Sequence, residues 1–400
     1  MASSTTVAPS STPLVGWLAV ISVAMGIFSI VTTEILPIGV LTSIGATYQI
    51  SDGTAGLMMA MPGLLAAFAA PAVTVSTARL DRRSMLCALM LLLALANFLA
   101  AAAPAYWVMA VSRVVVGFVI GAFWSIGSGL AARLVRPEST ARATAVIFSA
   151  VPLGSVFGVP AGTFIADIAG WRAAFAVMGV LTLGVVAALV AFVPRLPAVE
   201  VTQLAALRDM FSSSAVRVGL VITFLIVIAH FGTYTYVTPF LEDVTAVGPS
   251  AITAFLLVYG AAGVVGNFVA GTLAARNVRA TFALAACMIA GATLLLPVFG
   301  HSEIGAVLLL IVWGLAYGGV PVCSQMWFVK SSSGATEAAS VLFTSSFQAS
   351  ISIGALLGGV VVDATSTVTV MLLGGTTAVL MALTVWAFTS PDSRGMVKHT

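Results

Sequence analysis

Twelve predominantly apolar runs follow one another along the chain, at 14–37, 54–75, 84–103, 106–133, 143–165, 173–194, 217–240, 249–274, 280–300, 303–329, 338–362 and 367–389. A helix crossing a bilayer core of about 30 Å needs about 20 such residues. The runs are apolar all round rather than alternating, which selects helices over the roughly 10-residue strands of a membrane barrel. Connections are short except at 195–217, a polar stretch that splits the chain into two sets of six. The pattern predicts an all-α integral membrane protein with 12 transmembrane helices in two six-helix, pseudo-symmetric bundles. Its parts are a disordered cytoplasmic tail at 1–13, an N-terminal bundle at 14–194, a cytoplasmic linker at 195–216, a C-terminal bundle at 217–389 and a short tail at 390–400. The opening residues are rich in Ser, Thr and Pro and lack a basic segment, so the first run reads as a retained helix and not a cleaved leader.

Composition sharpens the class. Charged residues make up 7% and hydrophobic residues 60% of the chain, and mean hydropathy is +1.14. A soluble domain carries about 25% charge, so no water-facing surface can be built from this sequence. With both termini on the cytoplasmic side, every basic residue falls at the cytoplasmic ends except Arg113, inside a helix, and Arg172, in an outer loop. That bias follows the positive-inside rule and predicts a bacterial inner-membrane protein with both ends in the cytoplasm. Cys87, Cys287 and Cys323 lie in apolar runs with no ligand spacing and read as packing residues. No metal or cofactor motif is present, and nothing points to nucleic acid.

The two sets resemble each other. "AVIFSAVPLGSVFGVPAG" aligns with "SVLFTSSFQASISIGALLGG", bringing Phe148 onto Phe343, and the basic loops ending at Arg83 and Arg279 align at nearly the same offset. Parallel six-helix repeats are an architecture of alternating-access transporters, with the ligand site between them near mid-bilayer.

Few polar groups lie at depth, and each is a candidate. Glu34 closes the first run in "TTEILPIGVL", where Pro37 and Gly39 loosen the helix. A carboxylate at membrane depth costs about 2.5–3.5 kcal/mol on insertion scales, so Glu34 reads as a proton-exchanging group. On the fourth helix Arg113, Gly117, Gly121, Trp124 and Ser128 form one stripe. Arg113 either snorkels outward or faces the cavity and modulates the protonation of Glu34. On the fifth, Gly154, Gly158 and Gly162 form a second stripe with Pro152 and Pro160 interleaved, which suits a pliable, close-packed gate at the repeat interface.

"AHFGTYTYVTPF" on the seventh helix places His230 and Tyr234 on one face and Tyr236 on another. With Trp124, Asn267, Gln325 and Gln348 these are candidate substrate contacts, although each alone is also compatible with simple helix packing. Together, rings for stacking and amides for hydrogen bonds fit a neutral polar solute. Arg79, Asp81, Arg82 and Arg83 fill the loop after the second helix. They serve topology alone, or hold an inner gate closed through charge pairing with Asp81.

At these residues the chain resembles the major facilitator superfamily, in its twelve-helix drug:proton antiporter group. "RVVVGFVIG" looks like the helix-four motif, matched by Arg113, Gly117 and Gly121. "GSVFGVPAG" looks like the helix-five antiporter motif, matched by Gly154, Gly158, Pro160 and Gly162, and that resemblance implies exchange. "TTEILPIGVL" is similar to the first helix of the sugar efflux and purine ribonucleoside efflux branch, where Glu34 matches the acidic residue expected to exchange protons. The loop after helix two departs from the usual pattern. Thr74, Ala78 and Asp81 replace a glycine, an aspartate and a second glycine, and only Arg79, Arg82 and Arg83 remain. Segments resemble both sugar and nucleoside exporters.

The expectation is a proton-coupled antiporter exporting small neutral polar solutes (sugars, nucleosides or drugs), working as a monomer with protons, substrate and lipid as its partners. A uniporter or uptake carrier on the same fold is the alternative. An intramembrane enzyme is disfavoured, since no HExxH, GxSxG or Walker motif is present.

Overall fold

The computed structural model describes residues 13–76, 81–127, 130–197, 213–331 and 336–387. Among them the chain is helical. The first half contains α1 (Pro13–Gly39), α2 (Leu41–Tyr48), α3 (Asp52–Ser76), α4 (Arg82–Ala101), α5 (Tyr106–Gly127), α6 (Leu130–Leu134), α7 (Thr140–Ala169) and α8 (Trp171–Phe192). The second half contains α9 (Ser214–Tyr234), α10 (Val237–Asp243), α11 (Pro249–Phe299), α12 (Glu303–Ser331), α13 (Thr336–Ala364) and α14 (Thr367–Ala387).

Among the described residues, 11 of these helices are long and apolar enough to cross a membrane. One of them, α11, counts twice. Its 51 residues would reach roughly 76 Å as one rod, more than twice the bilayer core. Asn277 breaks it, with φ −150° and ψ 90°. The Asn277 side chain then accepts the Ala280 N–H at 3.1 Å and so caps the second segment. The expected twelve crossings result. Phe68, Trp107, Phe268 and Trp386 are each more than two-thirds exposed, which is the outward face that lipid tails accept and water does not.

Within the first half α1 lies on α7, α3 on α5 and α4 on α8; within the second, α9 lies on α13 and α14, and α11 on α12 and α14. The turn from α7 into α8 runs through Gly170 at φ 82°, a left-handed conformation that suits glycine. The first helix of each half breaks near its far end: α1 gives way to α2 at Val40, and α9 to α10 at Thr235 and Tyr236.

The halves meet along two seams, α3 against α13 and α7 against α11. Five hydrogen bonds cross between halves at one end among the described residues. Thr238 Oγ1 donates to Ile38 O at 2.9 Å, Thr42 Oγ1 to Glu242 at 3.1 Å, and Ser250 Oγ to Asp167 at 3.1 Å. Asp363 accepts from Ser51 Oγ at 2.6 Å and from the Gly53 N–H at 2.8 Å. A carboxylate of the second half thus sits on the N-terminus of α3, where unpaired N–H groups and the helix dipole favour negative charge. Burial pushes the neighbouring Glu242 carboxyl up, and the bond from Thr42 pulls it partly back. All five bonds lie at the end away from the chain termini and fasten that end; deeper in the seam, Gln348 faces the Glu34 carboxyl across the halves.

Tyr236 belongs to this seam. It is fully buried, its hydroxyl donates to Ala355 O at 2.7 Å, and its ring fills the space beside Gly56 and Gly359. Asp363→Ala removes two of the five crossing bonds. In a background with Cys87, Cys287 and Cys323 replaced by serine, Ile38→Cys sits in the closed seam; adding Asp363→Ala is expected to speed its thiol labelling several-fold, and an unchanged rate would show that the seam holds without this carboxylate.

Candidate functional site at the seam

The site is built on two prolines. Pro37 in α1 and Pro62 in α3 carry no N–H, so the carbonyls four residues earlier, Thr33 O and Met58 O, lose their helical donors. Arg113 of α5, 1% exposed, supplies what is missing. Its Nε donates to Met58 O at 3.0 Å, Nη1 to Thr33 O at 2.9 Å and Nη2 to Glu34 O at 2.9 Å. One guanidinium therefore ties α1, α3 and α5 together through backbone. Close approach is possible because Gly117, one turn on from Arg113, lies against the Pro62 backbone, where a Cβ would collide. Asn97 of α4 adds a bond from Nδ2 to Thr33 Oγ1 at 3.1 Å.

Arg113 is thus occupied by carbonyls, and the Glu34 side chain remains available. The carboxyl is 8% exposed and its Oε1 has no partner among the described residues. Gln348 of α13 presents its side-chain amide to the carboxyl from the other half. Gln348 Oε1 and Ser352 Oγ also lack partners. Gly63 makes this meeting possible: a Cβ there would stand 2.5 Å from both Gln348 O and Ser352 Oγ.

Across the seam lies an aromatic box. His230 of α9 is fully buried. Trp313 of α12 donates from Nε1 to His230 Nδ1 at 3.1 Å. An Nδ1 that accepts leaves the ring proton on Nε2, which faces the Tyr259 hydroxyl at 3.5 Å. Tyr317 stacks on the imidazole with centroids 3.4 Å apart and planes 6° apart. Tyr234 stacks at 5.1 Å on the imidazole and at 4.6 Å on Tyr259. Tyr317 alone of these four stacked rings is only half-buried, and it lies within electrostatic reach of Glu34.

The other expected site residues fall elsewhere. Asn267 donates to Gly318 O at 3.2 Å and joins α11 to α12. Gln325 is exposed. Trp124 packs with the first-half core and lies 6.2 Å from the Phe148 ring. Gly121 is buried in α5. Helix α7 lies against α11 of the other half as expected, while its stripe of Gly154, Gly158 and Gly162 packs against Val31, Ile35 and Leu36 of α1 in its own half. Those glycines alternate with the residue that does reach the seam, Val156, which lies against Gly260 of α11. Pro160 is buried in the same helix, and its carbonyl accepts from Thr163.

Asp81 caps α4 by accepting the Ser84 N–H at 3.0 Å and takes the Leu196 N–H at 2.7 Å. Arg83 donates to Val190 O, and Arg82 to Met85 Sδ at 3.5 Å. These bonds stay inside the first half, so the described contacts of Asp81 serve that half and not a lock between halves. Arg79 and Ser128 lie outside the described residues.

Two helical bundles with a polar seam between them and closure at one end are the anatomy of a secondary transporter. The chain matches the family model described as Major Facilitator Superfamily over residues 16–345. It belongs to that superfamily and is a multi-pass membrane transporter. It is 30% identical over 374 residues to the purine ribonucleoside efflux pump NepI of Escherichia coli (strain K12), covering 93% of this chain and 94% of that one. Its fold is like that of the nucleoside transporter NupG, solved as a point mutant, with a TM-score of 0.75, 15% identity and coverage of 92% and 100%. It is also like a bacterial homologue of the human lysosomal transporter Spinster in an inward-facing, occupied conformation, with a TM-score of 0.72, 14% identity and coverage of 94% and 97%.

Arg113→Lys keeps the charge but not the fork. It is expected to cost about 1–3 kcal/mol for each carbonyl left unbonded, read as a lower melting temperature in detergent. Pro37→Ala with Pro62→Ala restores both helical donors. In that background the cost of Arg113→Lys should shrink, and an equal cost in both backgrounds would refute the role assigned to the prolines.

Proposed function

We propose that this transporter exports purine ribonucleosides or closely similar neutral solutes from the cytoplasm in exchange for protons. The observation that carries the reading is the Glu34 carboxyl, buried at the seam with its Oε1 unpartnered and within electrostatic reach of Tyr317. A carboxyl whose cationic neighbour Arg113 is bonded to carbonyls rather than to it can load and release a proton as its surroundings change. Stacked rings offer a flat base an apolar face, which favours nucleosides over sugars alone. The name of the 30% identical relative supports the same substrate class and direction.

The bias of the basic residues supports termini in the cytoplasm of the bacterial inner membrane, which puts the fastened end on the outside. Substrate enters from the cytoplasm and meets Glu34 at the seam. Rocking of the halves breaks the bonds at Asp363, Glu242 and Asp167 and closes the opposite end. A proton taken up from outside then displaces the substrate and returns with the carrier. One pH unit contributes about 1.4 kcal/mol per proton, and 100 mV about 2.3 kcal/mol per charge, enough to support a steep outward gradient.

In everted membrane vesicles, an imposed pH gradient should drive accumulation of labelled inosine or adenosine. Glu34→Gln should abolish that accumulation while leaving substrate-for-substrate exchange. Accumulation at the normal level in the variant would sink the assignment of Glu34, and movement indifferent to the gradient in the unmodified protein would favour a uniporter.

A further inference from the structure

Two oxygens at the seam lack donors. Glu34 Oε1 and Gln348 Oε1 are unpartnered among the described residues, and their side chains are 8% and 5% exposed. An ionised carboxylate only accepts, and so does an amide oxygen. With the Gln348 NH2 turned to the carboxylate, both remaining oxygens call for a donor from outside the protein. The Ser352 hydroxyl, 3% exposed and one turn on from Gln348, is a third unpartnered group. A molecule presenting two O–H donors on neighbouring carbons answers the pair, and the Tyr317 ring nearby gives a flat base its resting face.

We propose that Glu34 and Gln348 together read the vicinal 2′- and 3′-hydroxyls of a ribose, so that the carrier selects ribonucleosides over deoxynucleosides. The assignment rests on the nucleoside reading above and adds the group that is recognised and the residues that recognise it.

The same pair explains how a proton and a substrate exclude each other. When Glu34 is protonated, its O–H becomes a donor. Gln348 then turns its amide over and accepts that hydrogen through Oε1. Proton and diol thus compete for the same acceptors: the proton satisfies the pair from within, and the diol satisfies it from without. The charged and titratable groups that face the carboxyl are Arg113 from α5 and Tyr317 from α12. Arg113 is held by three backbone carbonyls and has no reason to move with pH.

The test uses the purified full-length protein in lipid nanodiscs, with labelled adenosine displaced by adenosine, 2′-deoxyadenosine and 3′-deoxyadenosine. Each deoxy compound leaves one acceptor unbonded, so each should compete roughly tenfold more weakly or worse. Gln348→Leu should bind adenosine less tightly and lose most of the discrimination. Lowering the pH should reduce discrimination in the unmodified protein and leave it unchanged in Glu34→Gln, a variant of the same shape that keeps the proposal testable should Gln348→Leu fail to fold. Equal competition by all three compounds overturns the diol reading and leaves the nucleoside reading standing. Full discrimination in a folded Gln348→Leu overturns the role of Gln348. No binding of any purine nucleoside overturns the proposed function itself.

Discussion

A single guanidinium sets the geometry of the first half. Pro37 and Pro62 each strand a carbonyl at membrane depth, where no water is at hand to receive it. Arg113 takes both, and the Glu34 carbonyl with them. The cost of burying a cation is met by three hydrogen bonds that the backbone needed anyway. Two loosened helices and a buried charge, each unfavourable alone, become one rigid junction of α1, α3 and α5. The carboxyl of Glu34 is then presented to the second half from a fixed backbone, with no ion pair to Arg113 holding it.

The second half answers with a different solution. Its first helix carries His230 where α1 carries Glu34, and its fourth helix brings Trp313 to that ring as α5 brings Arg113 to α1. There the polar group is an imidazole wrapped in aromatic side chains rather than a buried acid facing the seam. One half thus carries a group that can exchange a proton, and the other a platform that can hold a flat molecule. The seam between α3 and α13 joins the two through Gln348. Fastening at Asp363, Glu242 and Asp167 uses bonds to carboxylates at one end that are easily remade with water.

Much of this was legible in the chain. Apolar runs gave the crossings because span length is a hard physical limit, and Asn277 falls in the short gap expected between runs eight and nine. Glu34 and Arg113 stood out because charge at depth is costly. What they bond was not legible. Arg113 lies within electrostatic reach of the Glu34 carboxyl, as expected, but it also holds that residue's carbonyl; seeing the second role requires knowing that Pro62 lies on a neighbouring helix. The box around His230 draws on three helices; His230 and Tyr234 share a face in the sequence, but Tyr259, Trp313 and Tyr317 come from helices the spacing does not bring together. The glycine stripe of α7 announced close packing but not its partner, since glycines fit α1 as well as they would fit the other half. Tyr236 is a short step from Tyr234 in sequence, yet the break between α9 and α10 turns it into the seam. Asp363, in the last turn of α13, bonds the start of α3, a partner that sequence position does not reveal.

Competition between a proton and a substrate for the Glu34 carboxyl is the claim on which the rest turns. Its most direct measurement is proton release from the purified protein when purine nucleoside binds, followed with a pH indicator in weakly buffered solution near neutrality. The unmodified protein should release protons in proportion to nucleoside bound, and Glu34→Gln should bind without release. Binding without proton release in the unmodified protein, or unaltered release in Glu34→Gln, would contradict it.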